Sequence, residues 1–303
     1  AFIFPGQGSQ YPGMAKEFYD SDAGVRELFD CASEAAGVAV DRLCFEENDR
    51  LNQTEYTQIA MITAEAALLH VLKQAGVQAE LCAGLSLGEY AALLTAGVMA
   101  LDDVFHVVRR RGQLMQDAYP EGGAMTAVLG ADAAITEEVC RNTPGIVSIA
   151  NDNCPGQLVI SGEAEAVAKA EKEILVRGAK RCVPLKVSGP FHSSLLAKAG
   201  EALGGVLEPV TVKKPQIPYL SNVTADYVTE ASAVKSLLVR QVSSPVRWRQ
   251  SIERMLADGT DLFVEIGPGR TLSGFLKRIS KEAAICSLDH MADLEQVLRL
   301  CGR

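Results

Sequence analysis

The sequence predicts an α/β fold in which one large core is interrupted by a smaller unit of strands and helices. Three observations carry that reading. Short apolar runs alternate along the chain with amphipathic segments at helical spacing. A serine stands between two glycines in Gly84-Leu85-Ser86-Leu87-Gly88, with an apolar run before it and the helix-forming run Tyr90-Ala91-Ala92-Leu93-Leu94 after it. Between Gly122 and Ser188 the texture changes to strand, helix, two strands, helix, strand.

Taken in order, Ala1–Phe4 reads as a strand that runs into the glycine-rich turn Pro5-Gly6-Gln7-Gly8-Ser9-Gln10. Residues 55–74 predict a long helix, with Ile59, Ile62, Ala66, Leu69 and Leu72 on its apolar face. Leu81–Leu85 is a short buried strand. Asp102 is placed as the cap of a helix running through Val104, Val107, Val108 and Met115. After Glu121-Gly122-Gly123 come a strand at 124–129 and a helix at 133–142. Two strands follow, separated by a loop at Asn151-Asp152-Asn153-Cys154-Pro155-Gly156, then a helix at 164–177 and a strand at 180–187. That is the ferredoxin-like order, and it predicts an inserted subdomain over 122–188 within a core made of 1–121 and 189–303. The core pattern resumes with a helix at 194–207, a strand near 217–220, a helix at 249–258 and a strand at 262–265. The turn Gly267-Pro268-Gly269 and a further helix close the pattern.

Bulk properties exclude several classes. At 303 residues, with 48% hydrophobic and 22% charged residues, the chain has the composition of a globular protein with a full core. Its longest apolar stretch, Ala91 to Leu101, falls short of the ~20 residues that span a bilayer. The first residues read as a strand and turn, with no basic region ahead of a long apolar segment, so no signal peptide is expected. The eight cysteines are scattered, none in C-x-x-C spacing or at metal spacing with the four histidines. A reduced, cytoplasmic protein without a bound metal or cofactor is expected. A net charge of -9 argues against nucleic acid or an anionic membrane as partner. A monomer is expected.

The chemistry concentrates in a few places. G-x-S-x-G at a strand-to-helix turn is a nucleophile elbow: the glycines allow the tight backbone, and the helix start offers free N–H groups beside the serine oxygen. Such a serine attacks an acyl carbonyl, and neighbouring N–H groups stabilise the oxyanion. It needs a base. His70 and His106 sit within amphipathic helices and read as packed or surface residues, and His290 lies in a polar stretch. His192, after Ser188-Gly189-Pro190-Phe191 where the insertion returns to the core, occupies the kind of loop in which catalytic groups concentrate. The turn at 5–10 is placed to bring an N–H group to the oxyanion, or is a plain turn. It fails the dinucleotide fingerprint because Tyr11 stands at the last glycine position, and no Walker lysine is present. In Arg109-Arg110-Arg111, successive residues point ~100° apart. A solvated basic face explains most of the triplet, while one inward arginine can clamp a carboxylate bidentately.

Together these motifs resemble one family, the malonyl-CoA:acyl carrier protein transacylases of type II fatty acid synthesis. The resemblance runs over nearly the whole chain. It is carried by Phe4–Gln10, Gly84–Tyr90, Arg111–Gln116, Asn151–Gly156, Gly189–Ser193, Val239-Arg240-Gln241 and Glu265–Gly269. It implies an α/β-hydrolase-like core with a parallel sheet carrying the ferredoxin-like insertion. It also implies that Ser86 is the acylated nucleophile, His192 the general base and acid, and the backbone carbonyl of Gln241 the group orienting His192. The N–H groups of Gln7 and Leu87 would form the oxyanion hole, Arg111 would pair with the malonyl carboxylate, and Phe191 and Asn153 would line the substrate cleft. The implied reaction passes malonyl from malonyl-CoA through a malonyl-serine to the phosphopantetheine thiol of acyl carrier protein, by ping-pong.

One position departs from the family. Its elbow usually reads G-H-S-x-G, and Leu85 stands here in place of the histidine. An acidic carrier protein docking on an acidic enzyme needs a local cationic patch, for which Lys186, Arg109 or Arg110, and Lys277-Arg278 with Lys281 are candidates. Rival readings are a hydrolase using an acid such as Asp152 or Glu163 between serine and histidine, a non-catalytic carrier-protein scaffold, and an acyltransferase serving polyketide synthesis.

Overall fold

The computed structural model describes residues 1–302. Among these the strands are β1 (Phe2–Phe4), β2 (Cys82–Gly84), β3 (Gly123–Leu129), β4 (Val147–Cys154), β5 (Gln157–Glu163), β6 (Arg181–Pro184), β7 (Tyr219–Leu220), β8 (Tyr227–Val228), β9 (Leu262–Ile266) and β10 (Ala284–Leu288). They form two sheets.

The larger sheet has six strands in the order β10-β9-β1-β2-β7-β8, parallel except for the β7–β8 pair. Its central strand, Phe2-Ile3-Phe4, is buried along its whole length. A strand covered on both faces has no solvent side, so it reads as an unbroken apolar run. Apolar side chains form one cluster on one side, including Phe4, Ile59, Ile62 and Leu93, and a second cluster on the other, including Ile3, Ala83, Trp248 and Phe263. The helix Thr54–Gln74 is buried on nearly every face, because the helices Ala23–Ala36 and Leu101–Asp117 cover what the sheet does not. β1 lies between β2 and β9, so the loops leaving the carboxyl ends of β1 and β2 stand side by side. In an open parallel sheet that is where a ligand crevice forms.

The second sheet has the order β6-β3-β5-β4, with every pair antiparallel. The helices Ala133–Asn142 and Ala164–Val176 close a separate apolar cluster with it through Val128, Val139, Leu158, Ile160, Val167 and Ile174. The end of β4 is stitched to the larger unit. Val246 N–H donates to the Ala150 carbonyl at 2.8 Å, and Asp152 N–H donates to the Val246 carbonyl at 3.0 Å.

Several local expectations need correction. The segment Asn151–Cys154 is strand, not loop: β4 runs through it with two register shifts, leaving Pro155-Gly156 as the turn. The cross-bridge to Val246 supplies pairing that a sequence pattern does not reveal. Asp102 is not a cap, because Ala100 takes the extended capping position. Asp102 and Asp103 instead lie in the first turn, where their charge favours the positive helix end. The segment after Ser193 opens with a single 3-10 turn, Ser194–Leu196, before the helix Ala197–Leu207. The strand expected at 180–187 is confined to Arg181–Pro184.

Candidate active site

The elbow is built by close approach. A Cβ on Gly84 would lie 1.9 Å from the Gly88 carbonyl carbon, and one on Gly88 would lie 2.3 Å from the Phe4 carbonyl oxygen. Neither position tolerates a side chain, so the turn folds tightly between β2 and the helix Glu89–Thr95. Ser86 takes up the geometry with φ 52°, in the left-handed region that non-glycine residues rarely occupy. Asn222, from the loop after β7, holds the strained turn from both sides. Its Oδ1 accepts from Ser86 N–H at 2.6 Å, and its Nδ2 donates to the Gly84 carbonyl at 2.7 Å.

His192 arrives from the opposite side. Its backbone is also left-handed, φ 59°, and its N–H donates to the Val242 carbonyl at 3.2 Å. The imidazole Nε2 lies 2.7 Å from Ser86 Oγ, and Nδ1 lies 2.9 Å from the Gln241 carbonyl oxygen. A carbonyl only accepts, so Nδ1 carries the hydrogen and Nε2 presents its lone pair to the serine hydroxyl. Burial, and then the positive charge of Arg111, push the imidazole pKa down to about 4, which keeps the ring neutral.

Of the three consecutive arginines, only Arg111 reaches this point. It is 1% exposed, and its Nη2 donates to Ser86 Oγ at 3.3 Å and to Gln241 Oε1 at 3.1 Å. Nη1 donates to Gln58 Oε1 at 2.7 Å, the guanidinium lies over the Tyr90 ring, and Nε is buried without a partner. Arg109 is spent on Glu55 at 3.0 Å and on the Tyr56 ring, while Arg110 is exposed and pairs with Gln113. Arg109 is therefore no docking candidate; Arg110, Lys186, Lys277, Arg278 and Lys281 are exposed.

Gln7, Leu87 and Phe191 line one cavity of about 90 Å³ with Ser86, His192 and Arg111. The cavity is also lined by Leu85, so the residue in place of the family's histidine supplies an apolar wall. Asn153 is not in it. Asn153 lines an adjoining cavity of about 180 Å³ beside Gly6–Ser9, and it is Asn151, two residues earlier on β4, that reaches the cavity holding Ser86. The two cavities share Gln7, Leu85 and Asn151, and the register shift between Asp152 and Cys154 interrupts the regular alternation of β4 at Asn153.

The remaining candidates lie elsewhere. His70 contacts Gln74 and Asp22, His106 is exposed, and His290 caps the helix Met291–Leu300. Asp152, the acid a hydrolase would need, accepts from Arg249 Nε and Nη2 and from Gln250, and Glu163 accepts from Ile146 N–H. Neither supports His192. No cluster of metal-binding side chains occurs among the described residues.

Sequence reasoning missed Asn222, Gln58 and Glu89. Asn222 carried no signal, since it stands outside any glycine or histidine pattern. Gln58 carried one: a polar residue on the apolar side of a long helix. Glu89 immediately follows the elbow, yet it is fully buried, with Oε2 accepting from Asn222 N–H at 3.0 Å and Gln241 Nε2 at 2.7 Å.

A family profile described as acyl transferase domain matches residues 1–295. A malonyl CoA-acyl carrier protein transacylase of Bacillus subtilis is 41% identical over 304 residues, covering 99% of this chain and 96% of that protein. A solved acyl-carrier-protein S-malonyltransferase from Bartonella henselae superposes with a TM-score of 0.97 at 38% identity, covering 100% of this chain and 99% of that one. A malonyl-transacylase solved in complex with a type II PKS acyl-carrier protein gives a TM-score of 0.96 at 39% identity, covering 99% and 98%.

Proposed function

The chain belongs to the malonyl-CoA:acyl carrier protein transacylases, a family of acyltransferases, and from that premise we propose that it carries malonyl through a covalent ester on Ser86. His192 takes the serine proton as Ser86 Oγ attacks the thioester carbonyl, and returns it to the departing CoA sulfur. The N–H groups of Gln7 and Leu87 receive the oxyanion, each contributing roughly 3 kcal/mol by analogy with measured donors. In the second half-reaction the phosphopantetheine thiol of acyl carrier protein attacks the ester, and His192 serves again. Gln241 replaces the usual acid: its carbonyl fixes the ring and its tautomer without adding a charge.

The observation that carries this reading is the guanidinium of Arg111 within 3.3 Å of the serine oxygen that His192 activates. A plain esterase site has no use for a buried cation there. A free carboxylate on the acyl group does, because a buried carboxylate without a partner is very costly. Phe191 beside His192 favours malonyl over branched acyl groups. We read the six-stranded unit, 1–121 and 189–303, as the hydrolase-like core, and 122–188 as the ferredoxin-like insertion that walls the cleft. The strand order β6-β3-β5-β4 supports the second part.

The test is transfer. Enzyme loaded with malonyl-CoA and freed of CoA should discharge onto holo acyl carrier protein much faster than onto water. Release of free malonate at the same rate with and without carrier protein would indicate a hydrolase instead.

A further inference from the structure

Glu89 is a fully buried carboxyl group for which the reaction as described has no task. It is joined to Arg111 by one side-chain amide. Gln241 Oε1 accepts from Arg111 Nη2 at 3.1 Å, while Gln241 Nε2 donates to Glu89 Oε2 at 2.7 Å and to the Ser86 carbonyl at 3.0 Å. A carboxylate only accepts, so Glu89 dictates which edge of the amide it sees, and the opposite edge must face the guanidinium. Glu89 Oε1 has no partner. The titratable and charged groups facing it are Arg111 from the helix Leu101–Asp117, Tyr90 from its own helix, and Tyr219 from β7; the polar groups are Ser221, Asn222 and Gln241.

We propose that Glu89 is the resident counter-charge of Arg111, one amide away, and that it sets acyl selectivity by competing with the acyl carboxylate for that cation. The inference rests on the malonyl reading above. A buried guanidinium needs a negative charge near it. With the acyl site empty, Glu89 supplies that charge. When a malonyl carboxylate arrives, the site holds two anions against one cation, and the carboxyl group with a free oxygen relieves the excess by taking a proton from solvent. An acetyl group brings no charge and makes no such demand.

Burial raises the Glu89 pKa to about 7, against the opposing pull of Asn222, Gln241 and Arg111. Binding of a second anion raises it further. Malonyl affinity is therefore full below that pKa and weakens as pH rises through it, because ionised Glu89 must then be protonated. His192 does not titrate in that window.

The experiment compares malonyl-CoA with acetyl-CoA, whose shared CoA cancels from the ratio. Between pH 6 and 8 the wild-type ratio of kcat/KM, malonyl over acetyl, should fall roughly three- to tenfold, as expected for one group titrating within that range. In Glu89→Gln, which keeps an acceptor for Gln241 and Asn222, the ratio should stay level. A second measurement needs no variant. Acylation of a serine by a thioester with release of a neutral thiol takes up no proton, so an indicator dye at pH 7 should report uptake with malonyl-CoA and none with acetyl-CoA. A level wild-type ratio, an unchanged slope in Glu89→Gln, or equal proton uptake with both thioesters would overturn the proposal. Failure of the wild-type enzyme to form any acyl-enzyme would instead overturn the malonyl reading beneath it.

Discussion

Ser86 Oγ and His192 Nε2 stand 2.7 Å apart although 106 positions separate them in the chain, and both residues hold left-handed backbone, at φ 52° and 59°. Each such conformation costs on the order of 1–3 kcal/mol and persists only where surrounding bonds determine it. Asn222 does so for the serine, and the Val242 carbonyl for the histidine. The two strained turns aim their side chains at each other across the crevice between the carboxyl ends of β1 and β2.

Removing the guanidinium should change which acyl group is transferred. Arg111→Ala leaves the malonyl carboxylate buried and unpaired, a loss of about 3–5 kcal/mol. Malonyl kcat/KM should fall by roughly two to four orders of magnitude, while the acetyl value falls far less. Steady-state kinetics with both thioesters checks this, and an unchanged malonyl-to-acetyl preference would count against the role.

Asn222→Ala removes the brace on the elbow. Ser86 N–H and the Gly84 carbonyl would lose their partner in a buried place, at a cost of about 1–3 kcal/mol for each unsatisfied group. Both thermal stability and kcat should drop, with KM for malonyl-CoA little changed, because the nucleophile loses its aim before the carboxylate pocket loses its shape. A stable variant with full kcat would show that the turn holds itself.

Gly88→Ala should be more damaging than an alanine elsewhere in a helix start. Its Cβ would lie 2.3 Å from the Phe4 carbonyl oxygen, a backbone atom of the central strand that cannot step aside. Soluble yield and the denaturation midpoint should both fall sharply. Normal stability would mean that the close approach of elbow and strand is not required.

The low pKa of His192 predicts an enzyme insensitive to mild acid. With acetyl-CoA as the acyl donor, kcat/KM should stay level from pH 7 down to about 5 and fall only near pH 4. The same shift links to stability. The folded state holds this ring neutral while the unfolded chain takes up a proton near its ordinary value, so stability present above pH 6.5 is lost as pH falls through about 4. The loss amounts to roughly 3 kcal/mol for a shift of this size, and it should be absent from His192→Gln. A pH–rate profile breaking near 6.5 would mean that the ring is more solvated than this geometry allows.

Much of the fold was legible because burial writes itself into pattern. Phe2-Ile3-Phe4 has no polar face to show, and the helix Thr54–Gln74 shows apolar residues at helical spacing. The elbow was legible because close backbone contacts at Gly84 and Gly88 leave no substitute for glycine. His192 stood out by its loop, and Arg111 by chemistry together with the family resemblance. The network beneath them was not legible. Asn222 and Glu89 act through contacts across more than a hundred positions, and nothing local distinguishes an asparagine that braces a turn from one that faces water. The strand character of Asn151–Cys154 was hidden for a related reason: polar residues followed by Pro-Gly look like a loop until the cross-bridge to Val246 is seen. Asn151 lines the cavity that holds Ser86, while Asn153 lines the adjoining one beside Gly6–Ser9.

The central claim is that the hydroxyl of Ser86 carries the acyl group. Intact-mass measurement after mixing with malonyl-CoA, followed by mapping of the modified peptide, tests it most directly. The account predicts a single malonyl adduct on wild-type enzyme, located on the peptide containing Ser86, and none on Ser86→Ala. A malonyl adduct that persists on the alanine variant would contradict it.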